Sequence, residues 1–134
     1  MADPRYRRHA GCVYTLKYHL VWCPKYRLPV LVGTVARDLR VLLVEKAKEL
    51  QVTIEALEIL PDHVHLFVSS DPTEAPQRLA NQFKGHTSGR LRAKYPHLRS
   101  RMPTLWSRSY YIGSVGQVSE ATVKRYIAEQ QGRS

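Results

Sequence analysis

At 134 residues and 43% hydrophobic content, the chain suits one domain (residues 1–134) with a real core, and disorder is not expected. No apolar run approaches the roughly 20 residues of a transmembrane helix, and the basic start lacks a signal peptide's apolar segment, so a cytoplasmic location and no membrane partner are expected. The net charge of +10 is one-sided, because residues 75–119 hold no Asp or Glu but carry Arg78, Lys84, Arg90, Arg92, Lys94, Arg99, Arg101 and Arg108; such a patch is the footprint of a polyanion binder, with a solvated surface as the blander reading.

In chain order, residues 1–11 read as a mobile basic arm with Arg5, Arg7 and Arg8. The body, residues 12–112, opens with a strand over 13–23. Tyr14, Leu16, Tyr18, Leu20 and Trp22 form its buried face, and Thr15, Lys17 and His19 its other face. Cys12 and Cys23 bracket this run, roughly 36 Å apart if it is extended, which excludes a disulfide between them. A basic loop over 24–29 leads to the clearest helix, Gly33–Leu50, with Thr34 as its expected N-cap. Val35, Leu39, Leu42, Leu43, Lys46, Ala47 and Leu50 recur on its inner face. A strand over 52–60, the turn Pro61-Asp62 and a strand over 63–70 make a hairpin. Asp71-Pro72-Thr73 opens a second helix, with Ala75, Leu79, Phe83, Thr87 and Leu91 inward. Gly85 and Gly89 weaken this helix and leave room for a close backbone approach. A basic loop over 95–103 precedes a fourth strand over 105–115, with Trp106, Arg108, Tyr110 and Ile112 on one face. A flexible joint, 113–118, carries a final helix, 119–131, capped by Ser119. The order β-α-β-β-α-β-α predicts an α+β fold, the ferredoxin-like or RRM-like antiparallel sheet with helices on one face.

In the strand over 63–70, Val64, Leu66 and Val68 point into the core. His63 and His65 point the other way, about 7 Å apart by strand rise. Two imidazoles so placed can share a metal ion, although two solvent-facing histidines also occur by chance. Neither cysteine is placed to complete a zinc site. Two histidines with one amide oxygen and open positions suit Mg²⁺ or Mn²⁺. In the final helix, Tyr126 and Gln130 stand at i and i+4 on one face. They read as nucleophile and metal ligand, or as a tyrosine beside the docking stripe Val123/Ile127 with an exposed glutamine. Together, a polyanion surface, a divalent-metal pair and a tyrosine describe phosphodiester cleavage by covalent catalysis. Only about one tyrosine in a thousand is ionised at neutral pH, so a base or a polarised target is needed. The sequence identifies no base, and Glu129 lies round the helix from Tyr126.

The motifs Tyr18-His19-Leu20-Val21-Trp22-Cys23-Pro24-Lys25-Tyr26-Arg27, Pro61-Asp62-His63-Val64-His65-Leu66, Leu105-Trp106-Ser107-Arg108-Ser109-Tyr110 and Arg125-Tyr126-Ile127-Ala128-Glu129-Gln130 follow one another in this order. With them the chain resembles the single-tyrosine HUH transposases of bacterial and archaeal insertion sequences, with REP-associated tyrosine transposases as near relatives. The resemblance implies His63, His65 and Gln130 as metal ligands and Tyr126 as nucleophile. It also implies a homodimer with composite sites, acting on single-stranded DNA with hairpins at the element ends.

The expected activity is metal-dependent strand transfer. Tyr126 attacks a phosphate to give a 5′-phosphotyrosine and a free 3′-OH, and a second 3′-OH resolves the link. The basic stretch over 75–119, with Lys17 and His19, is expected to hold the DNA backbone. Trp106, Tyr95 and Tyr110 are candidate stacking platforms or, alternatively, core residues. The joint over 113–118 would let Tyr126 meet His63 and His65 of its own chain or of a partner. Two alternatives stand beside this reading: a domesticated relative processing chromosomal repeats, and a non-catalytic RRM-like nucleic-acid-binding module. The latter would place aromatics where His63, His65, Lys17 and His19 stand.

Overall fold

The structure, a computed structural model, describes residues 7–9, 12–14, 16–71 and 73–114. Strands β1 (Arg7–His9) and β2 (Cys12–Tyr14) form a small antiparallel pair, so part of the expected arm is a strand. Strand β3 (Leu16–Pro24) follows as a separate element. It replaces the single run expected over 13–23, and Cys23 is a free thiol. A single 3-10 turn (Lys25–Arg27) leads to helix α1 (Gly33–Leu50). Strands β4 (Thr53–Leu60) and β5 (His63–Ser70), helix α2 (Pro76–Lys94), the short helix α3 (Pro96–Ser100) and strand β6 (Trp106–Ser114) complete the described chain.

The main sheet has the order β4-β5-β3-β6, and all three pairings are antiparallel. That is the expected ferredoxin-like plan. Its core lies between one sheet face and the helices. Leu20 and Trp22 of β3 and Val64, Leu66 and Val68 of β5 pack there with Leu39, Leu43, Leu79, Phe83 and Leu91. Burial of these side chains drives the layering at about 25 cal/mol per Å² of apolar surface removed from water. The expected inner face of α1 is observed, including Lys46, which is buried and ion-paired to Glu49 at 3.0 Å.

Local details differ from expectation. Thr34 is not the N-cap of α1; Val32 holds that position in an extended conformation without a side-chain hydrogen bond. Helix α2 starts at Pro76 rather than at 71–73. Asp71 instead closes a local turn, its Oδ1 accepting from Thr73 N at 2.8 Å and Thr73 Oγ1 at 2.7 Å, and proline suits the first helical position. Ala75 is therefore exposed ahead of the helix. The loop expected over 95–103 contains α3. A β-bulge between Ile54 and Ala56 in β4 lets Ile54, Leu57 and Ile59 all pack on the core.

Gly113 and Ser114, expected at the start of a flexible joint, are strand residues of β6, and Gly113 pairs with His19. A Cβ there would collide with the Tyr111 ring and hydroxyl, so glycine makes room for an aromatic side chain. The rest of the joint and the final helix, with Tyr126 and Gln130, lie outside the described residues.

Candidate metal centre on the open sheet face

Strand alternation puts Val64, Leu66 and Val68 in the core and His63 and His65 on the opposite face, as expected. The face is not bare, however. His63 is 2% exposed, His65 8% and His19 1%. His19 stacks on Phe67 with ring centroids 4.1 Å apart, and meets His65 edge-on at 3.9 Å and Tyr111 at 5.8 Å. His19 therefore cannot touch a DNA backbone, which corrects its expected role; Lys17, two residues earlier, is exposed. Burial and then the nearby His65 push the His19 pKa down to about 3, so it is neutral near pH 7. Among the described residues neither His19 ring nitrogen has a hydrogen-bond partner.

The turn ahead of β5 orients His63. His63 Nδ1 lies 2.9 Å from Asp62 Oδ1. Burial raises the Asp62 carboxyl, but hydrogen bonds from His63 and Arg27 outweigh it, and the pKa falls below the usual carboxylate value. An ionised carboxylate only accepts, so Nδ1 carries the hydrogen and Nε2 keeps its lone pair. That Nε2 is buried and, among the described residues, without a hydrogen-bond partner. A carboxylate holding the distal nitrogen of a metal-binding histidine is the usual outer-shell arrangement. Arg27 Nη2 donates to Asp62 Oδ2 at 2.8 Å, fixing the carboxylate from its other side. Tyr26 and Arg27 adopt left-handed backbone conformations, at φ of 60° and 52°. Non-glycine residues rarely do so, and here the turn brings the guanidinium to Asp62. In the sequence Asp62 reads as a turn residue and Arg27 as loop charge. The available signal was the acid immediately before the histidine pair.

The donor chemistry fits a divalent ion: His63 and His65 supply imidazole nitrogens, and His63 is pre-set in the required tautomer. Among the described residues, no three His, Cys, Asp or Glu side chains form a ready cluster.

The cations of α2 and α3 do not lie on this face. Helix α2 and α3 pack on the opposite side of the sheet, and many of the charges are engaged. Arg78 pairs with Glu74 at 2.6 Å and Lys94 with Asp38 at 2.7 Å. Lys84 donates to the Ser107 carbonyl at 2.8 Å, tying α2 to β6, and burial lowers its pKa. Arg90 donates to the His86 carbonyl at 3.4 Å, Arg92 to that of Pro103 at 2.8 Å, and Arg99 to those of Arg92 and Ala93. Arg101 and Arg108 are exposed, with no such bond among the described residues. Trp106 is a core residue, its indole N–H donating to Lys84 O at 3.1 Å and Thr87 Oγ1 at 3.0 Å. Tyr95 and Tyr110 pack against the core, and the Tyr95 hydroxyl donates to Asp38 at 2.5 Å. These contacts favour packing over base stacking for Trp106 and Tyr95. No described helix is long and apolar enough to cross a membrane.

Comparison with known proteins places this geometry in a family. The model of the IS200-like transposases matches residues 12–130. The ISDra2 transposase TnpA of Deinococcus radiodurans is 36% identical over 129 residues, covering 95% of this chain and 92% of the relative. The transposase for insertion sequence element IS200 of Salmonella typhimurium is 29% identical over 132 residues, covering 97% and 85%. A crystal structure of a protein assigned as a transposase, from Deinococcus radiodurans R1, superposes with a TM-score of 0.81 at 34% identity, covering 92% of this chain and 97% of that one. A REP-associated tyrosine transposase bound to a REP hairpin shares the fold, with a TM-score of 0.58 at 14% identity, covering 95% and 68%. A family match spanning nearly the whole chain, around a histidine pair on the open face of a ferredoxin-like sheet, makes this chain a member of the IS200-like transposases, enzymes that process DNA.

Proposed function

We propose that the chain is a single-strand DNA transposase working through a tyrosine nucleophile and a divalent cation, Mg²⁺ or Mn²⁺. The observation that carries this is the Asp62–His63 pair, which leaves a buried, unpartnered Nε2 lone pair on the same face as His65. His63 and His65 would hold the cation, with Gln130 as a third ligand. A bound cation would polarise the scissile phosphate and offset its charge. Asp62 fixes the His63 ring and tautomer, and the rings of His19, Phe67 and Tyr111 exclude water from around the pair.

Tyr126 attacks a phosphodiester through its Oη. Oη loses its proton as the new phosphorus–oxygen bond forms, and this bond replaces the one to the 3′ oxygen, which takes up one proton and leaves as a free 3′-OH. The product is a 5′-phosphotyrosine, and no external energy is needed because one ester replaces another. Hairpin-bearing single strands as substrate, and a homodimer sharing its sites between chains, belong to the same proposal. The family resemblance supports both, and a fold neighbour bound to a REP hairpin supports the first.

The test is incubation with labelled single-stranded DNA from the flanks of the gene. A covalent adduct dependent on divalent metal is expected, and Tyr126→Phe should abolish adduct and cleavage while DNA binding persists. An adduct that survives in Tyr126→Phe would move the nucleophile elsewhere, with Tyr110 and Tyr111 next to be tested.

A further inference from the structure

We propose that Glu58 is the carboxylate of the divalent-cation site, an inference that rests on the His63/His65 reading above. Its placement follows from register. Glu58 of β4 is the antiparallel partner of His65, and directly opposed residues share a face with Cβ atoms about 4.5–5.5 Å apart. Its immediate neighbours on either side, Leu57 and Ile59, pack against the core, so Glu58 faces the histidines. The β-bulge at Glu55 makes this possible: unbroken alternation from Ile54 would have put Ala56 and Glu58 on the core face. Bulges re-aim side chains in this way beside functional sites.

The other acids near this face are committed. Glu55 accepts from Ser69 Oγ, and Asp62 is held by His63 and Arg27. Strands β3 and β6 carry no acidic residue. Glu58 is exposed and has no hydrogen bond or ion pair among the described residues. It is the uncommitted carboxylate among the described residues of this face.

The chemistry asks for one. Two neutral imidazoles and an amide bring no negative charge to a doubly charged ion, and hard cations such as Mg²⁺ and Mn²⁺ favour carboxylate oxygens. Such ions keep part of their hydration shell. A carboxylate beside His65 can accept hydrogen bonds from that water and offset the charge without itself being one of the imidazole pair's direct partners. Glu58 acts on the cation, so it is a positioning residue for the reaction.

The experiment measures Mn²⁺ affinity of the full chain without DNA, by calorimetry and by the electron paramagnetic resonance of free Mn²⁺. The variants are Glu58→Gln, Glu45→Gln as a distant charge control, and a His63→Ala, His65→Ala double variant. Glu58→Gln should weaken Mn²⁺ binding about tenfold, the low end for an outer-shell partner. Its melting temperature without metal should match that of the parent, since the side chain is exposed. Glu45→Gln should bind as the parent does. Parent-like affinity in Glu58→Gln, with loss in the double histidine variant, would overturn the role of Glu58 and leave the histidine site standing. Parent-like affinity in the double histidine variant would overturn the site and this inference with it. An equal loss in Glu45→Gln would reduce the effect to net charge and overturn the assignment too.

Discussion

Asp62 stands between the Arg27 guanidinium and the His63 imidazole, one carboxylate oxygen on each. Its charge makes His63 Nδ1 the protonated nitrogen and so leaves Nε2 basic. Asp62→Asn keeps the size but removes the charge and offers only one accepting oxygen. Divalent-metal affinity and cleavage should both fall about 10–100-fold, as is typical when an outer-shell partner of a metal histidine is lost. Titration of Mn²⁺ into the variant checks this, and unchanged affinity would show that the His63 ring is held by packing alone. The histidine pair was legible because alternation in a strand is a two-residue rule needing no tertiary knowledge. Its burial was not. Alternation tells which face a side chain takes but not what covers that face, and the rings over His19 come from Phe67 on β5 and Tyr111 on β6. Those contacts join residues far apart in sequence, so the strand pattern alone puts His19 beside Lys17 as a contact to the DNA backbone, whereas the fold buries it.

The elements themselves were readable where pattern and length agreed. Helix α1 and strand β5 have the expected bounds because apolar spacing runs uninterrupted to a clear stop in each. Starts set by competing local bonds were harder: Asp71 spends its side chain on Thr73, and the helix waits for Pro76. Gly113 shows the opposite difficulty. A glycine between a strand and a helix reads as a joint, yet here it lies in β6 beneath the Tyr111 ring. In an exposed strand, Gly→Ala ordinarily stabilises by reducing unfolded-state entropy. At this position the new Cβ would meet Tyr111 Cζ at 2.8 Å and the hydroxyl closer still. Gly113→Ala should therefore destabilise by about 1–3 kcal/mol, the usual cost of overpacking. Thermal unfolding would show a melting point lower by several degrees. Adding Tyr111→Phe removes the closest contacting atom and should return part of the loss. A Gly113→Ala variant as stable as the parent would mean that the ring moves aside freely.

For the whole molecule, net charge predicted a polyanion partner, and membership of a DNA-processing family agrees. What composition could not give was the location of the charge that is free to act. The eight cations over 75–119 were read as one patch, but folding spends several of them on internal carbonyls and carboxylates. Lys84 is the clearest case, half-buried and bonded across to β6. Arg101, in the turn after α3, and Arg108, on β6, remain exposed and without such bonds among the described residues. A cation already paired inside the protein releases few counterions from DNA, whereas an unengaged one that meets a phosphate releases about one. Arg101→Ala and Arg108→Ala should each lower the slope of log affinity against log salt by about one, with stability unchanged. Lys84→Ala should leave that slope nearly as it was and instead lower the melting temperature, because it unties α2 from β6. Binding titrations with a fluorescent single strand at several salt concentrations separate the two classes. The opposite ranking, with the slope falling in Lys84→Ala and holding in the two arginine variants, would mean that the protein opens the Lys84 contact to receive DNA.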